Sequence, residues 1–255
     1  MENRSSYLIK IHAAHRWIVW KYLQPIYGHI RIAEFPKSGG TWLGQMLAHV
    51  SGLPFPRNTS LPLFNSCVQH SHAMGPSSHK TILVVRDVRD VMTSAYFHFL
   101  IQHEEKDPHL LRYWKGIMKD ANVNDVKNTM PLFIKRFHSS FQVARQPINW
   151  SSHTASYLKD KNLLLIIKYE DLLQDASLQL ENIVDWLEIV PVGSIDDATE
   201  KFSFRNQTNR VRGEENRAAF LRKGVSGDWK NHFNEESKAL ATSLYGATMK
   251  KLGYV

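Results

Sequence analysis

An apolar run, Ile30-Arg31-Ile32-Ala33-Glu34-Phe35, enters a paired-glycine turn, Pro36-Lys37-Ser38-Gly39-Gly40-Thr41-Trp42. It leaves as Trp42-Leu43-Gly44-Gln45-Met46-Leu47-Ala48-His49-Val50, whose apolar residues recur at helical spacing and stop near Ser51-Gly52. A strand that passes through a tight turn directly into a helix is the unit that α/β folds repeat. Two adjacent glycines let the backbone turn so that several N–H groups converge on one anion at a helix N-terminus. Lys37 adds a point charge, and Ser38 and Thr41 add hydroxyl donors. The segment reads as a phosphate cradle, the other reading being a lysine-bearing turn ahead of a core helix. It is not the common P-loop, G-x-x-x-x-G-K-[ST], in which the Lys follows the glycines and precedes a metal-holding hydroxyl. Here Lys37 comes first and an aromatic, Trp42, follows the Thr.

The remaining pattern repeats the strand–helix theme. Lys80-Thr81-Ile82-Leu83-Val84-Val85-Arg86 and Asn162-Leu163-Leu164-Leu165-Ile166-Ile167-Lys168-Tyr169 are continuous apolar runs of the kind buried on both faces of a parallel sheet. Residues 88–99 follow the first as a helix, and a helix through Leu187 follows the second. Asn65 to His70 reads as a further short strand. The expected fold is α/β: one domain with a central parallel sheet, helices on both faces and a P-loop-like phosphate-binding loop, spanning 30–255. An amphipathic helical segment, 1–29, precedes it. Ligands in such sheets sit beyond the carboxyl ends of the strands, so the loops after Phe35, His70, Arg86 and Tyr169 carry the functional expectation. Residues 101–161 hold two or three expected helices, an insertion suited to a lid or acceptor wall, and 203–229 read as a long irregular loop.

The net charge of +8 over 255 residues needs a partner or a solvated surface. Lys and Arg are scattered rather than gathered into a block interleaved with aromatics, which argues against nucleic acid and leaves room for a multiply phosphorylated small molecule. One cysteine, Cys67, excludes an internal disulfide and fits a reducing compartment. The sequence reads as cytoplasmic, with no leader pattern and no apolar run of membrane-spanning length. Thirteen histidines raise the question of a metal. With no H-E-x-x-H and no cysteine cluster, no metal site is expected.

Two further constellations suit phosphate. Arg86-Asp87 stands where a buried strand meets a helix, and Ser94 lies two turns on, so a guanidinium and a hydroxyl can share one oxyanion. A structural Arg–Asp pair is the alternative. Phe220-Leu221-Arg222-Lys223-Gly224 offers two cations and an accessible backbone N–H, or simply a solvated loop before a C-terminal helix.

Together these stretches closely resemble the cytosolic sulfotransferase family, whose members use 3′-phosphoadenosine 5′-phosphosulfate (PAPS) and release 3′-phosphoadenosine 5′-phosphate (PAP). Lys37, Ser38, Gly39, Gly40, Thr41 and Trp42 resemble the PKSGTTW loop that binds the 5′-phosphosulfate, with Trp42 then an adenine platform. Arg86 and Ser94 match the family's 3′-phosphate pair, flanked by Asp90-Val91 and Tyr96-Phe97-His98-Phe99. Arg222-Lys223-Gly224, running on through Gly227-Asp228-Trp229-Lys230-Asn231-His232-Phe233, is similar to the RKGxxGDWKNHF segment, again at the 3′-phosphate. Tyr169-Glu170-Asp171 resembles the YED turn whose Tyr reaches the adenine, and Ser203-Phe204 resembles an adenine-side pair. The likeness runs from about Ile30 to Phe233.

The resemblance implies sulfonate transfer to a hydroxyl without a metal, Lys37 acting on the departing oxygen and a His acting as base. His72 matches the catalytic His of the family's K-T-H-L-P segment. His70 stands in place of that segment's Lys, which makes it a second candidate, and Ala73-Met74 replace Leu-Pro. Phe97, His70, Trp150 and His153 are expected on the acceptor side, with packing an equal role for His153. The acceptor itself, whether phenol, alcohol, sugar or lipid-linked sugar, is not set by these residues. Residues 7–27, basic and aromatic, would suit either a membrane surface or the protein's own core. The family's dimer motif needs a Thr-Val before a Glu; Phe233-Asn234-Glu235-Glu236-Ser237 lacks it, so oligomeric state stays open. The rivals are a non-catalytic PAPS or nucleotide-binding regulator and a nucleotide-dependent kinase-like transferase, the latter lacking its Gly-Lys-Ser/Thr.

Overall fold

A computed structural model describes residues 28–56, 66–75, 79–102, 108–143, 146–159 and 163–255, with positions 18 and 22. The helix expected within 7–27, and the membrane contact argued from it, fall almost wholly outside the described residues. Four parallel strands, β1 (Ile30–Glu34), β2 (Val68–Ser71), β3 (Thr81–Val85) and β6 (Leu164–Lys168), form one sheet in the order β2-β1-β3-β6. Two-residue strands β4 (Gln142–Val143) and β5 (Gln146–Pro147) pair separately and antiparallel. Parallel neighbours need crossovers, and the helices supply them.

Alternation along the strands divides the core in two. Ile30, Ile32, Ile82, Val84 and Ile167 pack against α1 (Gly40–Ser51), α7 (Ala176–Leu187) and α8 (Ile195–Lys201). Ala33, Leu83 and Val85 face the other way, against α2 (Val88–Leu100), α4 (Val126–Ser140) and α10 (Glu235–Lys251). The glycine loop and α1 follow β1 as expected, and α1 closes at Gly52, whose φ of 66° is the left-handed stop a helix end favours.

The structure departs from expectation in three places. Among the described residues β6 is an edge strand rather than a fully buried one, and Ile166 is 38% exposed. An apolar run does not reveal whether a strand has neighbours on both sides. The helix expected to run through Leu187 is two, α6 (Tyr169–Gln174) and α7, because the Asp175 carboxylate accepts from Leu178 N–H at 2.9 Å and caps a new start. The insertion at 101–161 is mainly a core layer. α3 (Pro108–Ile117), α4 and α5 (Trp150–Tyr157) bury Trp114, Phe133, Phe137 and Trp150 in the second core. Phe137 stacks between Trp114 and Phe141, at ring distances of 5.5 and 4.7 Å.

Candidate functional site

A cavity of about 600 Å³ opens beyond the carboxyl ends of the strands. Its lining gathers residues remote in sequence: Lys37, Gly39, Thr41 and Trp42 from the glycine loop, His72 after β2, Arg86 and Ser94 at β3–α2, Tyr169 after β6, and Phe204, Arg222, Lys223 and Gly224 from the last third of the chain.

The glycine loop is built for close approach. Lys37 adopts φ 75°, a left-handed conformation that costs a non-glycine residue roughly 1–2 kcal/mol. Strain of this kind persists where the surroundings dictate the backbone path. Its carbonyl accepts from Arg86 Nη1 at 3.3 Å, and its Nζ stands 4.3 Å from the centre of the Phe220 ring. Gly39 has φ 104°, and a Cβ there would lie 2.6 Å from the Tyr169 ring. Ser38 is fully buried, and its Oγ has no hydrogen-bond partner among the described residues. Arg86 Nε is buried and unpartnered in the same way, while Nη2 donates to the Val225 carbonyl at 3.2 Å and the guanidinium lies 4.2 Å over the Tyr169 ring. Unsatisfied buried donors at a helix N-terminus suit an oxyanion. Trp42 is fixed by its indole N–H, which donates to the Phe202 carbonyl at 2.8 Å, and its ring meets Tyr169 edge-on at 6.1 Å.

The second cationic group is braced by two acids that were read only as parts of motifs. Asp228 takes hydrogen bonds from Lys223 Nζ at 2.6 Å, Asn231 Nδ2 at 2.8 Å and His232 Nε2 at 3.1 Å, and pairs with Arg222, which also pairs with Glu215. Burial pushes the Asp228 carboxyl up, but the bonds from His232, Lys223, Arg222 and Asn231 override it and hold it well below the carboxylate range. Asp90, buried on α2, accepts from Gly227 N–H at 2.6 Å and Trp229 N–H at 3.0 Å, tying the segment to the helix that carries Ser94. Gly224 has φ 67°, and a Cβ on it would lie 2.5 Å from the Phe204 ring.

Glu34, read at first as an ordinary strand residue, joins the cradle to the histidines. Buried at the end of β1, its Oε2 accepts from Gly40 N–H at 2.5 Å and its Oε1 lies 2.7 Å from His70 Nε2. Burial raises its pKa, but the positive charge and hydrogen bond of His70 outweigh that and bring it to about 2. An acid at the carboxyl end of a strand whose other residues, Arg31 apart, are apolar was the available signal. His72 Nδ1 lies 3.1 Å from the Glu34 carbonyl. A carbonyl can only accept, so Nδ1 carries the hydrogen and neutral His72 holds its lone pair on Nε2. His72 lines the cavity, whereas His70 stands behind it, ring centres 4.7 Å apart.

Other expected residues lie elsewhere. Phe97 and Trp150 are core residues outside the cavity lining, Phe97 beneath the Arg222 guanidinium at 4.3 Å and Trp150 edge-on to Tyr245. His153 is fully buried between Phe35 and Tyr157, where burial, reinforced by the charge of His72, lowers its pKa to about 4. Ser203 Oγ caps α9 (Phe204–Thr208) by accepting from Asn206 N–H at 3.2 Å, and of the expected pair Phe204 alone lines the cavity. Phe99, Phe141 and Phe220 are among the aromatics that line the cavity instead.

A family model described as the sulfotransferase domain matches residues 60–253, which takes in every site segment after the glycine loop. Sulfotransferase 1E1 of Rattus norvegicus is 23% identical over 266 residues, 86% of this chain and 82% of its own. Sulfotransferase 2A6 of Mus musculus is 30% identical over 169 residues, 62% of this chain and 52% of its own. Among solved structures, mouse sulfotransferase SULT7A1 complexed with PAP superposes with a TM-score of 0.62 at 19% identity, covering 88% of this chain and 84% of that one. Retinol dehydratase in a complex with retinol and PAP also gives 0.62, at 16% identity, covering 94% and 86%. The fold is thus similar to theirs.

Proposed function

The chain belongs to the sulfotransferase domain family, and we propose that it moves the sulfonate group of PAPS to a hydroxyl acceptor, with His72 as general base. The observation that carries this reading is the bond from His72 Nδ1–H to the Glu34 carbonyl, which sets the imidazole with its basic nitrogen on Nε2 at the cavity wall. A hydroxyl attacking sulfur must lose its proton as the new bond forms, and a histidine is the side chain suited to take it near neutrality.

The donor fits the side chains on hand. Ser38 Oγ, the loop amides and Lys37 suit the phosphosulfate end, where charge develops on the departing phosphate oxygen. Arg86, Ser94 and Arg222-Lys223-Gly224 suit the 3′-phosphate. Trp42, Tyr169 and Phe204 suit the adenine. His70 is supported less well as base, because its Nε2 faces the Glu34 carboxylate rather than the cavity. The acceptor is a hydroxyl-bearing molecule small enough to share the cavity with the donor, its wall being Phe99, Phe141 and Phe220.

The test is transfer from radiolabelled PAPS to a panel of phenols, alcohols, sugars and glycolipids, with H72A alongside. H72A should lose about 10²–10⁴-fold in turnover while PAP binding by calorimetry is kept. Full turnover in H72A would remove the base assignment. PAP binding without transfer to any acceptor would favour the regulator.

A further inference from the structure

Three side chains from two adjacent strand ends converge in a way that sulfonate transfer does not require. His70 and His72, two residues apart, leave the same face of the sheet, and β1 runs beside them with Ile32 level with His70. Glu34, two residues beyond Ile32, therefore comes up on that face level with His72. One ligand atom from each of Glu34, His70 and His72 lies within 4.8 Å of the other two.

We infer that these residues form a binding site for a divalent transition cation of the zinc type. Two imidazoles and a carboxylate are a donor set that zinc accepts, with a further position left for water. The outer contacts are already in place. Glu34 Oε2 is held by Gly40 N–H, and the His72 Nδ1–H bond to the Glu34 carbonyl leaves Nε2 as the nitrogen that carries the lone pair. Second contacts of this kind orient metal ligands and raise affinity. Between Glu34 Oε1 and His70 Nε2, 2.7 Å apart, a proton now sits. A dication would displace it, and the two atoms would spread by about half an ångström to meet bonds of about 2.0–2.2 Å. The entry path is the cavity, which both Glu34 and His72 line. Among the cations that line the cavity, Arg222 and Lys223 are balanced by two carboxylates, Asp228 and Glu215. Such a cation is not a cofactor of transfer. It would hold His72 as a ligand, unable to take a proton, and so switch transfer off. That consequence rests on the proposed function; the binding itself does not.

The experiment is a zinc titration of the purified full-length chain against a chromophoric chelator, which reads metal binding whether or not the protein transfers sulfonate. One zinc per chain is expected, with H70A and H72A each weakening it at least about 100-fold. H98A, at another cavity histidine, and the double variant H12A/H15A, which removes two histidines three residues apart in the segment 1–29, should bind as the unaltered chain does. No saturable binding, or binding that survives H70A and H72A or disappears in H12A/H15A, overturns the site. Because loss of a buried imidazole could unfold the chain, cobalt(II) bound to the unaltered protein gives a separate reading. Intense visible absorption from a low-coordinate nitrogen–oxygen site supports the inference, and the weak spectrum of hydrated cobalt overturns it.

Discussion

Lys37 joins two properties seldom found together, a charged side chain and a left-handed backbone. Its carbonyl accepts from Arg86 and its ammonium lies over the Phe220 ring, so the residue ties the glycine loop to both. A side chain that serves the departing oxygen should matter more to the transition state than to the ground state. K37A is therefore expected to lower turnover about 10²–10³-fold with a much smaller change in PAP affinity, read by steady-state kinetics beside calorimetry. Equal losses in both would make Lys37 a binding residue only. Asp228 is the counterweight on the other side. Its folded-state pKa is depressed, so its contribution to stability is present above its unfolded value of 3.8 and is lost as pH falls through the lower folded value. D228N should lower the melting temperature near neutrality. It should also flatten the acid limb below about pH 4, measured by thermal melts across pH. An unchanged acid limb would show that the four hydrogen bonds carry no net stability.

At the scale of elements, helix packing decides how well the site is held. α4 buries Met130, Phe133, Ile134 and Phe137 against the sheet face that carries Phe35, the residue entering the glycine loop. Phe35 meets Phe137 edge-on at 6.0 Å. F137A removes a fully buried ring from this cluster and should cost about 3–5 kcal/mol of unfolding free energy, read by urea titration. A loss below 1 kcal/mol would mean that the neighbouring rings collapse into the gap. The helices of 101–161 were legible from apolar periodicity, but their place was not. Periodicity marks which residues are buried, not which face buries them, and a core layer and a lid share the same pattern.

Across the whole molecule, Tyr254 is tied to the residues that follow Arg86 and Tyr169 of the cavity lining. The Tyr254 hydroxyl donates to Glu170 Oε2 at 2.9 Å, Glu170 Oε1 accepts from Asp87 N–H at 3.1 Å, and Arg89 Nη2 donates to the Tyr254 carbonyl at 3.3 Å. Burial raises the pKa of both Glu170 and Tyr254, and the Glu170 charge drives the tyrosine further. Y254F leaves the Glu170 carboxylate short of a donor and should cost about 1–3 kcal/mol, seen as a lower melting temperature at pH 7. A melting temperature equal to the parent's would mean that water replaces the hydroxyl.

The sequence by itself determined the strands, the glycine loop and the separate cationic segments, because each depends on neighbours along the chain. Strand alternation, turn-forming glycines and the two-turn spacing of Arg86 and Ser94 are local properties. Only the tertiary structure decided which groups meet. Glu34 and His70 are 36 residues apart, and a parallel register places them 2.7 Å from one another. Asp90 holds the backbone of Gly227, 137 residues on. Phe97 and Trp150, legible as acceptor-side aromatics, went to the core, and Phe99, Phe141 and Phe220 took the cavity wall. The choice of His72 over His70 turns on which imidazole faces a carboxylate and which faces the cavity. That is a fact of three-dimensional packing, and no spacing along the chain encodes it.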